Sequence, residues 1–307
     1  MKTISQIADK VACGGDISAN LGKLGCLSLF GTPDNLLAIK RGTKIPANTV
    51  FNLTYLLTLI KSGVIIPLIG SSSFEDVSAE DGYSTNAKGI KRLNLKGLPE
   101  YKLMYEEGHE FYKNLDKLEG YKNFDYIIGD DDGNWMVSTN SDGSYGGMSA
   151  GHTTPEMTTR KVPGGDAESK SVLIQFLDRL QFDRNYSILH QEDLTFSPSD
   201  VPLVNGVNLT FSAVPVAASA AIDVAVVLSQ DNSTAVEGLT EWIVSVNGTT
   251  QVPTVTGNTN PNDYKLTITP VLASTDVILV YLGLGALTVT DVSGTLFRSI
   301  VLEDTIA

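Results

Sequence analysis

The residues of this chain that could do chemistry are few, and the first to weigh are Asp130, Asp131 and Asp132, which run consecutively before Gly133. Carboxylates ahead of a glycine suggest a calcium loop, but such loops space their ligands at alternate positions and add a distant bidentate glutamate. Here the three are adjacent and no glutamate follows in register, so an ordinary turn is expected, without metal. General acid–base work would need two carboxylates converging in a cleft. The candidates Glu106, Glu107 and Asp125 read instead as solvated strand and helix edges. His109, His152 and His190 stand far apart, with neither ligand spacing nor a partner. No serine or cysteine lies in a nucleophile elbow. Gly146 with Gly147, and Gly164 with Gly165, do not sit between a strand and a helix as a phosphate-cradling loop must. The expectation is a protein that is not an enzyme, with no catalytic, cofactor-binding or metal residues.

Composition narrows the classes that remain. The 307 residues, 42% of them hydrophobic, suffice for two domains and a sizeable core. A net charge of −13 argues against tracking a nucleic-acid backbone, which takes a basic stripe to displace counterions. Only Cys13 and Cys26 are present, and they read as free thiols in a reducing compartment, with a disulfide across their thirteen-residue interval as the alternative. Ser5, Gln6, Asp9 and Lys10 interrupt any secretory signal, and Asn52, Lys61 and Pro67 break the apolar stretch from Val50 to Gly70 before it could span a membrane. A soluble protein made in a cytoplasm is expected.

The elements that would have to position any site begin with an arm or an irregular strand-and-loop segment. Six glycines between Gly14 and Gly42 suit a segment that finds its partners on a neighbouring subunit. Val50, Leu53, Leu57 and Ile60 then mark a helix, capped by Asn48 or Thr49 and closed by Gly63, before a buried strand from Val64 to Ile69. The acidic stretch after Phe74 reads as a long exposed loop. From Gly89 to Leu118 the period changes. Leu93 and Leu95 alternate with polar neighbours, as do Tyr101, Leu103 and Tyr105, so the two runs are expected to pair as a hairpin. Phe111, Leu115 and Leu118 follow at helical spacing. Phe124 to Ile128 and Trp135 to Val137 form a second hairpin, and Ser171 to Leu177 gives a last strong strand.

At Leu194 the composition shifts. Twenty of the 22 Lys and Arg residues precede it; only Lys265 and Arg298 follow, against ten acidic residues, so the last part holds −8 of the −13 charges. Seven short strands are expected there: Leu209 to Val214, Ile222 to Leu228, Glu241 to Val246, Tyr264 to Thr269, Val277 to Leu282, Leu287 to Val292 and Leu296 to Leu302. That is the inventory of an immunoglobulin-like β-sandwich without its disulfide, with Trp242 as a core anchor. The domains are therefore 1–194 and 195–307, and the fold class is mainly β with one or two helices.

Four stretches carry a resemblance: EDGYSTNAKGIKRLNLKGLPEYKLMYEEGHEFYKNLDKL from Glu80, YKNFDYIIGDDDGNWMV from Tyr121, GSYGGMSAGH from Gly143 and SVLIQFLDRLQF from Ser171. Their order resembles the tail tube and tail ring proteins of tailed bacteriophages, particularly those of crAss-like phages infecting Bacteroidetes, over roughly residues 1–190. The Asn48 to Ser62 helix departs from that pattern. The resemblance implies a tail-tube-like β-barrel or sandwich with an appended immunoglobulin-like domain. It also implies a virion location in the tail, self-assembly into a closed ring (hexamer or dodecamer), and contact with neighbouring tail, collar or portal proteins. DNA would pass through the lumen without specific binding, and no membrane would be involved. The alternative expectation is a head fibre, decoration or host-attachment protein that uses the C-terminal domain. No fibrous repeat or trimeric coiled coil is present to favour it.

Overall fold

The computed structural model describes residues 2–8, 30–86, 88–89, 91–159, 168–257, 260, 262–283 and 289–306. Cys13, Cys26, Gly164 and Gly165 lie outside the described residues. The protein is mainly β, and it divides into two compact units: Met1–Leu57 with Val64–Val201, and Thr58–Gly63 with Pro202–Ala307. The expected border after Leu194 is therefore seven residues early. The loss of Lys and Arg begins at Thr195, but Phe196 still packs against Phe51 at 5.8 Å and keeps that segment in the first unit.

The first unit is built on one branched sheet. In hydrogen-bonded order its main path runs Tyr145–Gly146, Trp135–Thr139, Phe124–Asp130, Met148–Thr159, Ser169–Phe176, Glu100–Tyr105 and Ser73–Asp76. Pro33–Lys40 lies along the other side of Phe124–Asp130 and pairs in turn with Ile65–Leu68. The long Met148–Thr159 strand turns the corner between the two halves. Met148 and Ser149 pair with Tyr126 and Asp125, whereas from Ala150 onward the partner is Ser169–Phe176. Gly151 is the extra residue of a bulge at that corner, where a side chain would meet Leu177 at 2.8 Å.

Alternation along these strands turns Leu36, Ala38, Leu103, Tyr105, Tyr126, Ile128, Val172, Ile174 and Phe176 into one core. The helix His109–Asp116 covers it with Tyr112 and Leu115, and Leu118 follows just beyond the helix end. Leu115 and Leu118 of the expected stripe are buried; at its start Tyr112 is buried as well, and Phe111 stays half-buried against the Tyr105 ring at 5.3 Å. Lys170, itself buried, pins the helix by donating to the Tyr112 carbonyl at 3.1 Å and to the Asp116 carboxylate.

Three local expectations are corrected. The Lys91–Leu95 and Glu100–Tyr105 strands do not form a hairpin with each other. Lys91–Leu95 folds back on Gly82–Thr85, while Glu100–Tyr105 is taken by Ser169–Phe176 and Ser73–Asp76. Between them Gly97 passes close to the Ala79 backbone, where any side chain would lie 1.7 Å from the carbonyl oxygen. The acidic stretch after Phe74 is a long loop only in part: Glu75 and Asp76 belong to a strand and Gly82–Thr85 to the ribbon, with a short connection over 77–81. Of the opening segment, residues 9–29 lie outside the described residues, Ile4–Ala8 is a short helix, and Pro33–Lys40 is a central strand buried on both faces. Asn52, not Asn48 or Thr49, caps the Leu53–Lys61 helix, accepting the Tyr55 N–H at 2.9 Å.

The second unit is a two-sheet β-sandwich. One sheet runs Thr254–Gly257, Asp263–Thr267, Ala221–Leu228, Val204–Phe211, Thr295–Ser299 and Thr290–Val292; the other runs Thr249–Gln251, Trp242–Val246, Val277–Leu282 and Leu302–Thr305. Val204–Phe211 pairs in parallel with Thr295–Ser299, as suits an immunoglobulin-like sandwich. The expected last strand from Leu296 to Leu302 is in fact two. It breaks after Ser299, and its continuation crosses to the opposite sheet, leaving Ile300 and Val301 exposed at the crossing. Trp242 is buried in the core beside Tyr264, ring to ring at 5.2 Å. Tyr264 donates its hydroxyl to the Val236 carbonyl at 2.8 Å and accepts the Leu239 N–H at 3.2 Å, closing a polar loop over an apolar core that has no disulfide to hold it.

Candidate functional site

The aspartate run sits at the turn between Phe124–Asp130 and Trp135–Thr139. Its three carboxylates reach within 4.8 Å of one another, a spacing a cation could use. Asp130 is already committed, however. Fully buried, it accepts the Asn134 N–H at 2.7 Å, the Asn134 side-chain N–H at 2.9 Å and the Gly31 N–H at 2.8 Å. Asn134 in turn accepts the Gln191 N–H at 3.1 Å. This is the hydrogen-bond pattern of a turn staple that ties three chain segments together. Asp131 and Asp132 remain exposed.

The acid–base candidates are not brought together. Glu106 and Glu107 are exposed just past the Glu100–Tyr105 strand, which two other strands separate from Asp125 on Phe124–Asp130. Asp125 corrects the expectation of a solvated edge residue: it is 7% exposed. Its burial follows from the strand register, which encloses it between Ile39 of Pro33–Lys40 and Ser149 of Met148–Thr159. Desolvation pushes its carboxyl above the usual range, against the Gly42 N–H and the Arg41 charge that favour ionisation. The histidines lie on separate elements: His109 opens a helix, His152 is exposed on Met148–Thr159, and His190 precedes a 3-10 turn. Gly147 serves close packing, since a side chain there would meet Ile39 Cγ2 and the Tyr126 backbone nitrogen, both at 2.7 Å.

Two exposed surfaces of opposite charge lie on the first unit. Gly82–Thr85 and Lys91–Leu95 form a separate two-stranded ribbon. Tyr83 and Leu93 on it are 59% and 43% exposed. Lys88, Lys91, Arg92 and Lys96 are exposed too, and the chain has no Asp or Glu from Gly82 to Pro99. The base is anchored by Arg179, which pairs with Asp81 and donates to the Gly97 carbonyl at 3.3 Å. The second surface is the strand Ser73–Asp76, at the end of the main sheet path. Among the described residues it is paired on one side only, and it exposes Glu75 and Asp76. Sequence reasoning missed the ribbon as a unit, although the acid-free run from Gly82 in so acidic a chain was a usable signal. Among the described residues no helix is long and apolar enough to cross a membrane. No protein-family model matches the chain, and no curated protein matches it.

Proposed function

We propose that the protein is a structural subunit that assembles with copies of itself, a virion protein of the tail-tube or tail-ring kind whose closed ring conducts DNA. The observation that carries this reading is the basic ribbon and the acidic open strand on one subunit. A ring needs two different, complementary surfaces per subunit, so that each copy's first surface meets the next copy's second. An isolated two-stranded ribbon with exposed side chains has no core of its own and gains one by docking. An unpaired strand offers a row of backbone donors and acceptors, and opposite charges select the register of such a contact. The overall charge of −13 suits a channel that must not hold DNA, and repulsion from an acidic lumen weakens with added salt. In this reading the second unit decorates the assembly.

A second reading, attachment or decoration through the sandwich, rests on its exposed valines. Val214 is 77% exposed and Val271 52%, and both lie in loops between strands. Negative-stain imaging of the purified protein beside its Tyr83→Asp and Leu93→Asp variants separates the two. Rings or stacked tubes that both variants abolish support the assembly reading. Monodisperse single particles, unchanged in the variants, favour the attachment reading.

A further inference from the structure

The sandwich of the second unit is open at one end. Ala221–Leu228 starts beside the loop that carries Val214 and finishes at a pocket of about 400 Å³. That size falls in the lower part of the roughly 300–1,000 Å³ range of small-ligand sites. The floor of the pocket is apolar. Val236 and Phe297 belong to the core of the sandwich, and Leu228 and Val292, both half-buried, pack against it. The rim is polar and made by Asn205, Glu237 and Thr295, all three exposed.

The rim offers acceptors and no cation. Glu237 makes no hydrogen bond or ion pair among the described residues, and no Lys, Arg or His lines the pocket. Asn205 donates its side-chain N–H to the Leu296 carbonyl at 3.4 Å, which leaves its side-chain oxygen without a donor among the described residues. Thr295 adds a hydroxyl. The backbone on both sides of Glu237 is fixed: the Tyr264 hydroxyl donates to the Val236 carbonyl at 2.8 Å and accepts the Leu239 N–H at 3.2 Å, and the Val236 N–H donates to the Val226 carbonyl at 3.2 Å. A rim ordered beforehand lowers the cost of binding. An anion would meet Glu237 with no positive charge to offset it. A small hydrated cation would leave the apolar floor unused, and a neutral apolar molecule would leave the carboxylate unused. We propose that this pocket binds a primary amine with a short apolar body. Its ammonium has three N–H donors for the acceptors of the rim, with Glu237 supplying the charge-assisted hydrogen bond. Its carbon chain lies over Leu228, Val292 and Phe297. The site belongs to the second unit and uses neither surface of the first.

The test is an amide NMR titration of the full chain at pH 7 with pentan-1-amine, which is charged at that pH. Pentan-1-ol keeps the body without the charge, methylamine keeps the charge without the body, and pentyltrimethylammonium keeps both without an N–H donor. Glu237→Gln completes the set. Pentan-1-amine is expected to bind, with shifts concentrated in residues 235–239 and 292–297. Loss of the charge, of the N–H donors or of the Glu237 carboxylate is expected to weaken binding about three- to tenfold, as suits an ion pair at an open rim. Loss of the carbon chain is expected to weaken it about tenfold or more. Should Glu237→Gln fail to fold, the comparison of amine with alcohol on the unaltered protein decides alone. Equal binding of the two, unchanged binding in a folded Glu237→Gln protein, or no shifts with the amine overturns the proposal. Shifts scattered over the acidic surface, as any cation would give on a chain of net charge −13, overturn it as well.

Discussion

Replacing Asp130 by alanine separates a turn staple from a calcium loop. The Asp130 carboxylate accepts three N–H groups, two from Asn134 and one from Gly31, at 2.7 to 2.9 Å. A hydrogen bond to a charged acceptor contributes about 1.5–3 kcal/mol net, and a buried donor left unpaired loses its whole desolvation cost. Asn134 is 9% exposed, so its two donors are stranded, whereas Gly31 is half-buried and regains some water. Counting Asn134 nearly in full and Gly31 in part gives a loss of about 3–5 kcal/mol. For a unit of this size that is a fall of roughly 6–20 °C in its unfolding midpoint. Asp131→Ala removes one exposed contact, to the Thr32 N–H at 3.1 Å, and is expected to cost under about 1 kcal/mol. Asp132→Ala is expected to be neutral. The assay is fluorescence-monitored unfolding in a Trp242→Phe background. The two tryptophans are fully buried, one in each unit, and this leaves Trp135, next to the turn, as the reporter. Equal effects of the three substitutions, or a midpoint that rises with millimolar calcium and stops rising in Asp131→Ala, would refute the staple.

Asp125→Asn tests burial by pH. The folded pKa of Asp125 is raised, so the group's contribution to stability is fully present below the unfolded pKa and is lost as pH rises through the folded one. The variant is therefore expected to melt above the parent at pH 7, with the gap closing toward pH 4; a gap that is absent or widens on acidification contradicts the burial argument. Gly147→Ala places a methyl against the Tyr126 backbone, which cannot step aside as a side-chain tip can, and is expected to cost about 2–4 kcal/mol by chemical denaturation. A cost below about 0.5 kcal/mol would mean the strands there are not held so closely. Tyr264→Phe strips the hydroxyl from Val236 and Leu239 and is expected to destabilise the second unit by about 1–2 kcal/mol, read from Trp242 fluorescence in a Trp135→Phe background. Tyr83→Asp and Leu93→Asp fall on exposed ribbon positions, so both proteins are expected to melt with the parent while failing to assemble. A large drop in melting temperature would place those side chains in a core.

The sequence was most legible where burial falls on one face. The alternation of Val172, Ile174 and Phe176, the helix leading to Leu118 and the strand inventory around Trp242 could be read from their periods, because each element's pattern reports its own exposure. Pairing was less legible, since it is decided between elements. Lys91–Leu95 and Glu100–Tyr105 have adjacent, compatible patterns, yet the sheet interior competes for Glu100–Tyr105 and wins with six register pairs to Ser169–Phe176. Asp125 was misread for the same reason. A carboxylate between Phe124 and Tyr126 looks like a solvent-facing residue until two further strands close on it, and neither is its sequence neighbour. The break after Ser299 was hidden because Ile300 and Val301 are apolar, although they bridge the two sheets in the open.

Native mass spectrometry of the full chain is the most direct test of self-assembly through the basic ribbon and the acidic strand. A closed oligomer of defined stoichiometry is expected, reduced to monomer by Leu93→Asp and by reversing the charges of Lys91 and Arg92. The same oligomer is restored when Glu75 and Asp76 are reversed together with them. A monomer at every concentration and ionic strength, or an oligomer indifferent to all of these changes, would contradict it.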